Sequence, residues 1–338
     1  MESQLSSFVV PPGMELARVS ISRGEQGRIL LNGEEFRAHV AGSLTHADAG
    51  TGFPVTGDWV AVRLMEPGRY SIEQIAPRKS KISRKTAGNR ADEQVLAANV
   101  DVALIISGLD GNLNLRRLER FLAIVHDGNV PPVIVLNKVD LCPDVSAEIA
   151  RVREVAGSVQ VLAVSAKTGV GCAEIEELLG PGKTGVLLGS SGVGKSTLLN
   201  RILGREQQAT GIVRESDGLG QHTTIGRELI MLPSGGALID TPGIREIQLL
   251  VTQDSINAVF ADIVELALEC KYRDCTHLIE PDCAVRNTVA PERLQSFLKL
   301  SQEASELQTV AAAKQRGKGI QQSVSRSSKK RPRISDAE

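Results

Sequence analysis

Gly189-Ser190-Ser191-Gly192-Val193-Gly194-Lys195-Ser196 fits G-x-x-x-x-G-K-[ST], the pattern of a phosphate-binding loop. Glycines at 189, 192 and 194 let the backbone turn tightly and present its N–H groups to phosphate oxygens. Lys195 suits the β- and γ-phosphates, and the Ser196 hydroxyl suits Mg²⁺. Thr184-Gly185-Val186-Leu187-Leu188 reads as a short buried strand entering the loop. Ser196 to Leu203, with Thr197 in its first turn, reads as the helix leaving it, and a helix N-terminus favours an anion. Gly189 to Thr197 is therefore the expected cradle of a nucleoside triphosphate.

Working outward, strands alternate with helices. Asp101 to Ile106 and Pro132 to Leu136 are apolar runs of the kind buried parallel strands require. Leu115, Leu118, Phe121, Leu122 and Val125 recur at helical spacing, and further helices are expected near Ser146–Val155 and Ala173–Leu179. Strands are expected at Val159–Val164, Arg227–Leu232 and Ala237–Ile239. The pattern is a doubly wound α/β sheet, whose ligands gather at the C-terminal ends of the strands.

Three motifs fall at such ends. Asn137-Lys138-Val139-Asp140 supplies a carboxylate that can accept from both the N1–H and the exocyclic amine of guanine, a pair adenine does not offer. Ser165-Ala166-Lys167 would pack on the base and offer a backbone N–H to its carbonyl. Asp240-Thr241-Pro242-Gly243 puts a carboxylate near the metal and a flexible backbone N–H, that of Gly243, at the γ-phosphate. Together they favour GTP over ATP, and a G domain over an unrelated P-loop ATPase.

The motif order is unusual. Most GTPases run phosphate loop, switch threonine, D-x-x-G, N-K-x-D, S-A-K; here the last two come first. Residues 86–249 thus read as a circularly permuted G domain. The segment after Gly243 leads straight into the C-terminal part, so the chain itself would pass on a nucleotide-dependent movement. Gly218 to Thr224 lies where the switch threonine belongs, and Thr223 or Thr224 would close onto Mg²⁺; spacing does not choose between them. Ile244 follows Gly243, where Ras-type enzymes carry a water-orienting glutamine. Catalysis must then use another group or a partner. His222 is the candidate catalytic residue; the competing reading is a loop histidine that folds onto a partner.

Cys270-x₄-Cys275-x-His277-x₅-Cys283 is the second chemical feature. Three thiolates and an imidazole are a soft set suited to tetrahedral Zn²⁺, and with four protein ligands the site is expected to be structural. Lys271, Arg273 and Arg286 flank it as candidate phosphate contacts. Helical patterns at Ser255–Leu268 and Pro291–Leu307 would pack around the metal, giving a helical zinc-binding domain over 250–312. Residues 313–338 are rich in Lys and Arg, and read as a disordered tail that either binds RNA electrostatically or is simply solvated.

The N-terminal residues 1–85 carry short alternating runs, with the hairpin signal Asn32-Gly33 between two of them. A small OB-like β-barrel fits; such barrels often bind RNA, though a purely structural barrel is the alternative. Pro77 to Lys85 is basic, either a phosphate-contacting strip or a solvated linker. The chain has 338 residues, 41% hydrophobic and 23% charged, with a formal net charge of −1. It is thus a soluble multidomain α/β chain rather than a general polyanion binder, and any nucleic-acid contact must come from local patches. No apolar run approaches the roughly 20 residues of a membrane span. The N-terminus does not read as a signal peptide. A cytoplasmic setting and a monomer are the expected defaults, and five cysteines argue against a disulfide framework.

In this order, barrel, permuted G domain and Cys/Cys/His/Cys module, the chain resembles the ribosome small-subunit-dependent GTPase A family of bacteria, RsgA/YjeQ. The residues that carry the resemblance are Asn137 to Asp140, Gly189 to Ser196, Gly220-Gln221-His222-Thr223-Thr224, Asp240 to Gly243 and Cys270 to Cys283. Ile225 departs from the family pattern, where many members have a third threonine. The resemblance implies a cytoplasmic GTPase that binds the 30S subunit late in its maturation and is released on hydrolysis of GTP to GDP. It also implies that the barrel and the zinc domain contact 16S rRNA.

Overall fold

Five short strands close on themselves at the N-terminal end of the computed structural model, which describes residues 8–46, 53–85, 93–204, 227–240, 251–307 and 309. They are β1 (Glu15–Arg23), β2 (Gln26–Leu31), β3 (Glu34–Val40), β4 (Trp59–Glu66) and β5 (Arg69–Ile75). Strand β1 pairs with both β2 and β4, and β3 runs parallel to β5, so the circuit β1-β2-β3-β5-β4 returns to β1. Asn32 and Gly33 turn β2 into β3 with φ of 53° and 88°, the backbone that an Asn-Gly hairpin turn requires. Val19, Ile29, Val60, Val62 and Ile72 fill the interior. This is the expected small barrel, with the five-stranded closure of an OB-like fold. Helix α1 (Gly42–His46) follows β3.

The basic stretch after the barrel is neither linker nor free patch. Lys81–Lys85 forms β6, which pairs antiparallel with β7 (Glu93–Ala98), a strand that the sequence reading had not anticipated. Ile82 and Leu96 are fully buried among G-domain side chains. The cations are largely committed within the chain. Arg78 grips the buried Asp58 with two bonds of 2.7 and 2.8 Å, Lys79 bonds Asp101 at 2.9 Å and Lys81 bonds Glu93 at 2.6 Å.

Five parallel strands form the centre of the G domain: β8 (Val102–Gly108), β9 (Pro132–Asn137), β10 (Gln160–Ala163), β11 (Thr184–Leu188) and β13 (Ala237–Asp240). The order is β10-β9-β8-β11-β13, flanked by antiparallel β12 (Glu228–Met231). Alternate residues feed two cores. Ile105, Ile134, Leu136 and Val186 enter one, with α2 (Leu115–Asp127) and α3 (Val145–Ala156). Leu104, Ile106, Val133 and Leu187 enter the other, with α4 (Cys172–Leu178) and α5 (Lys195–Leu203). The chain winds outward from β8 to β10 and then returns to the other side of β8 as β11. The crevice between β8 and β11 is therefore the topological switch point, where such sheets bind ligands. Strand β12 also pairs with barrel strand β1, Ile21 opposite Glu228, so barrel and G domain form one eleven-stranded sheet among the described residues.

The C-terminal part contributes α6 (Gln253–Val259), α7 (Ala261–Ala267), α8 (Ala284–Thr288) and a helix α9 over 291–307. The single helix expected over 255–268 is interrupted at Phe260, which is fully buried. Among the described residues these helices share the core of the G domain. Ile256, Phe260, Ile263, Val285 and Leu294 join the cluster that holds Phe121 and Leu122 of α2. A partly buried ionic knot fastens the contact. Arg293 donates to Glu119 of α2 at 2.8 Å and to both oxygens of Asp262 at 2.6 and 2.8 Å, and its guanidinium lies 4.8 Å from the Phe260 ring centre. No helix among the described residues is long and apolar enough to cross a membrane.

Candidate functional site

The phosphate loop leaves β11 at the switch point. Gly189, Gly192 and Gly194 all have positive φ, at 146°, 80° and 97°. Space is as strict as conformation: a Cβ on Gly189 would meet the Ile106 carbonyl oxygen at 2.5 Å, and one on Gly194 would meet Asn137 Nδ2 at 2.3 Å. Helix α5 starts at Lys195, so the N–H groups of Ser196 and Thr197 belong to its first turn. Lys195 Nζ bonds the carbonyls of Gly189 and Ser190 at 2.8 and 2.6 Å, stretched across the mouth of the loop.

Asn137, at the end of β9, ties three motifs together. It is buried; its Nδ2 donates to the Val193 carbonyl at 2.8 Å and its Oδ1 accepts from Ala166 N–H at 2.9 Å. Lys138, at φ 69°, extends along the loop and donates to the Gly192 carbonyl at 2.7 Å and to Asp110 at 2.5 Å. Asp140 lies exposed in a 3₁₀ turn, Val139–Leu141, where one carboxylate oxygen accepts from Ser165 Oγ at 2.6 Å. Ser165 and Ala166 are buried, and Lys167 is exposed. Asp240 ends β13, opposite Glu228. The structure thus gathers Asn137, Lys138, Asp140, Ser165, Ala166 and the loop Gly189 to Lys195 in one bonded network. His222, Thr223, Thr224 and Gly243 lie outside the described residues.

Three contributors were missed by the sequence reading. Asp110, two residues past β8, anchors Lys138. Arg201 of α5 bonds the carbonyls of Ala166 and Lys167 at 3.2 and 2.5 Å and shapes the Ser165–Lys167 loop. Arg117 of α2 bonds Ser190 Oγ at 2.8 Å. Asp110 carried a usable signal, an acid just beyond a buried strand; the two arginines looked like ordinary helix-surface charges.

The four metal-ligating candidates also converge. Cys270 Sγ, Cys275 Sγ, His277 Nδ1 or Nε2 and Cys283 Sγ lie within 4.8 Å of one another. Cys270 Sγ is 3.6 Å from His277 Nδ1 and 3.9 Å from Cys283 Sγ, and His277 Nδ1 is 3.4 Å from Cys283 Sγ. Tetrahedral zinc ligands at their usual bond lengths are about 3.4–3.8 Å apart, so the residues fit a closed Cys₃His zinc site. His277 takes φ 61° to turn its ring inward. Glu280 braces the turn: its carboxylate accepts from the Thr276 hydroxyl and N–H at 2.6 and 2.8 Å, and these bonds hold it down at a pKa of about 2. Arg286, a candidate phosphate contact, instead bonds the carbonyls of Leu278 and Glu280 at 2.9 and 2.7 Å.

A phosphate loop at the switch point of a parallel sheet, with the N-K-x-D and S-A-K loops wired to it from upstream strands, defines a circularly permuted P-loop GTPase. The RsgA GTPase family model matches residues 75–250. The ABC transporter model matches residues 173–331, a span that contains the phosphate loop common to both groups but not Asn137 to Asp140. The chain is 42% identical over 299 residues to the small ribosomal subunit biogenesis GTPase RsgA 2 of Lactiplantibacillus plantarum, covering 87% of this chain and 84% of that one. It is similar to the crystal structure of YjeQ from Thermotoga maritima, with a TM-score of 0.62, 26% identity and coverage of 86% and 98%. The crystal structure of YloQ, a circularly permuted GTPase, shares the fold at a TM-score of 0.60 and 23% identity, with coverage of 87% and 96%. The chain belongs to the RsgA family of GTPases.

Proposed function

We propose that this GTPase binds the 30S ribosomal subunit through 16S rRNA and assists its late maturation. The subunit would stimulate hydrolysis of GTP to GDP and phosphate, and hydrolysis would drive release. The Asn137 bridge between Val193 and Ala166 carries the nucleotide part of this reading, because it couples a guanine-reading loop to a phosphate loop. The name of the Lactiplantibacillus plantarum relative supports the ribosomal part. The domain limits we infer are barrel 1–85, G domain 86–249, zinc domain 250–312 and basic tail 313–338, with a monomer acting in the cytoplasm.

In this reading Asp140 selects guanine, and Ser165 to Lys167 line the base. Gly189 to Thr197 would offer N–H groups, and Lys195 its charge, to the phosphates; Asp240 would serve the metal and Gly243 N–H the γ-phosphate. Ser196 with Thr223 or Thr224 would hold Mg²⁺, which supplies charge neutralisation on the phosphate oxygens. His222 orients or deprotonates the attacking water. Zinc, held by Cys270, Cys275, His277 and Cys283, would be structural. The test is GTP turnover by the full chain with and without purified 30S subunits. A large rise on adding subunits is expected, and unchanged turnover would overturn the ribosomal reading.

A further inference from the structure

Helix α2 carries three arginines in two turns, and they do different things. Arg116 and Arg120 pair with carboxylates, those of Glu119 at 2.5 Å and Glu303 at 2.7 Å. Arg117 pairs with no carboxylate among the described residues. Its Nη1 donates to two neutral oxygens, Ser190 Oγ at 2.8 Å and Asn112 Oδ1 at 3.2 Å. Ser190 is the second residue of the phosphate loop, 73 residues further on.

The base of this strut is fixed. The Arg117 N–H is capped by Asn114 Oδ1 at 3.0 Å, and two residues on, the buried Glu119 is held by Arg293 of α9. Elsewhere the loop is held from other elements: the Val193 carbonyl by Asn137, the Gly192 carbonyl by Lys138. Arg117 supplies the hold from α2, on the side where the chain enters the loop. A loop fixed in its binding shape loses less freedom when phosphate arrives, and this raises affinity without any contact to the ligand.

We propose that Arg117 is a positioning residue for the nucleotide, acting through Ser190 to hold the entry of the phosphate loop. The proposal rests on the reading of Gly189 to Ser196 as the nucleotide cradle. Fluorescent GDP and GTP analogues would be titrated into the full chain and into Arg117→Ala, Arg117→Gln, Ser190→Ala and the Arg117→Ala/Ser190→Ala double variant. Each alanine variant should bind both nucleotides about fivefold more weakly, the loss of one such hydrogen bond. The double variant should bind no more weakly than the poorer single one. Arg117→Gln, which keeps a donor, should recover part of the loss, and melting without nucleotide should be unchanged. Wild-type affinity in Arg117→Ala, losses that multiply in the double variant, or a loss confined to GTP would overturn the proposal. If Arg117→Ala does not fold, Arg117→Gln and Ser190→Ala decide by the same comparison. A wild-type chain that binds neither analogue would instead overturn the cradle reading.

Discussion

Asn137 Nδ2 donates to the carbonyl of Val193 at 2.8 Å, joining the end of β9 to the middle of a loop 56 residues away. The same side chain is only 2% exposed and also receives the Ala166 N–H. Asn137→Ala should therefore leave one donor and one acceptor unpaired, at about 1–3 kcal/mol each. The expected outcome is at least a tenfold loss of guanine-nucleotide affinity by titration, together with a lower melting temperature. Asn137→Asp should restore the bond to Ala166 but not the one to Val193.

Asp140 should set base identity. Replacing its carboxylate by an amide in Asp140→Asn removes one acceptor and adds a donor. A base with an oxygen at C2 in place of the amine then becomes the better match. Competition should show GTP binding weakened by about a hundredfold and xanthosine triphosphate binding strengthened. Retained GTP preference would mean that Asp140 does not read the base.

Removal of zinc should unfold the turn between Cys270 and Cys283 while sparing the barrel. With Cys275→Ser, or after chelation, bound zinc measured by atomic absorption should fall below one per chain. Proteolysis should then open the C-terminal part first. Full zinc retention with unchanged protease resistance would refute the Cys₃His site.

The docking of the C-terminal helices on α2 should depend on acid. Burial opposes ionisation of Asp262, but the hydrogen bonds and charge of Arg293 outweigh it, so its carboxyl stays below the usual range. A depressed carboxyl adds stability above its unfolded value, near pH 4, and loses it as pH falls through the folded value. Melting temperature should thus fall below about pH 4, and the fall should be shallower in Asp262→Asn. Arg293→Ala should lower the melting temperature at neutral pH, because it removes one of the two arginines on the buried Glu119 carboxylate and leaves Arg116 alone there.

Much of this was legible beforehand. Apolar runs bounded by Gly- and Asp-containing loops gave the parallel strands, because strands buried on both faces leave no room for polar alternation. The phosphate loop and Asn137-Lys138-Val139-Asp140 are local patterns, readable because each needs fixed residue types at fixed spacing. What stayed hidden depends on pairing at long range. Strand β7 is an unremarkable run, Glu93 to Ala98, until β6 lies beside it. Arg78 and Lys79 looked like surface charge because Asp58 and Asp101 are about 20 residues away in sequence. Arg117 and Arg201 gave no sign, since nothing in a helix pattern says which exposed face will meet a loop from elsewhere.

One row of residues runs across the sheet from barrel to phosphate site. Ile21 of β1 lies opposite Glu228 of β12, and Glu228 lies opposite Asp240 of β13, where the D-x-x-G motif begins. Thr56 adds a bond to the Arg227 carbonyl at 3.2 Å. Two strand spacings, about 10 Å, separate the barrel edge from the Asp240 strand. The barrel edge and the strand that ends at Asp240 are thus joined by one continuous ladder through β12. A load on the barrel edge at Ile21 therefore reaches the strand of Asp240 across backbone pairing alone, with no loop in between.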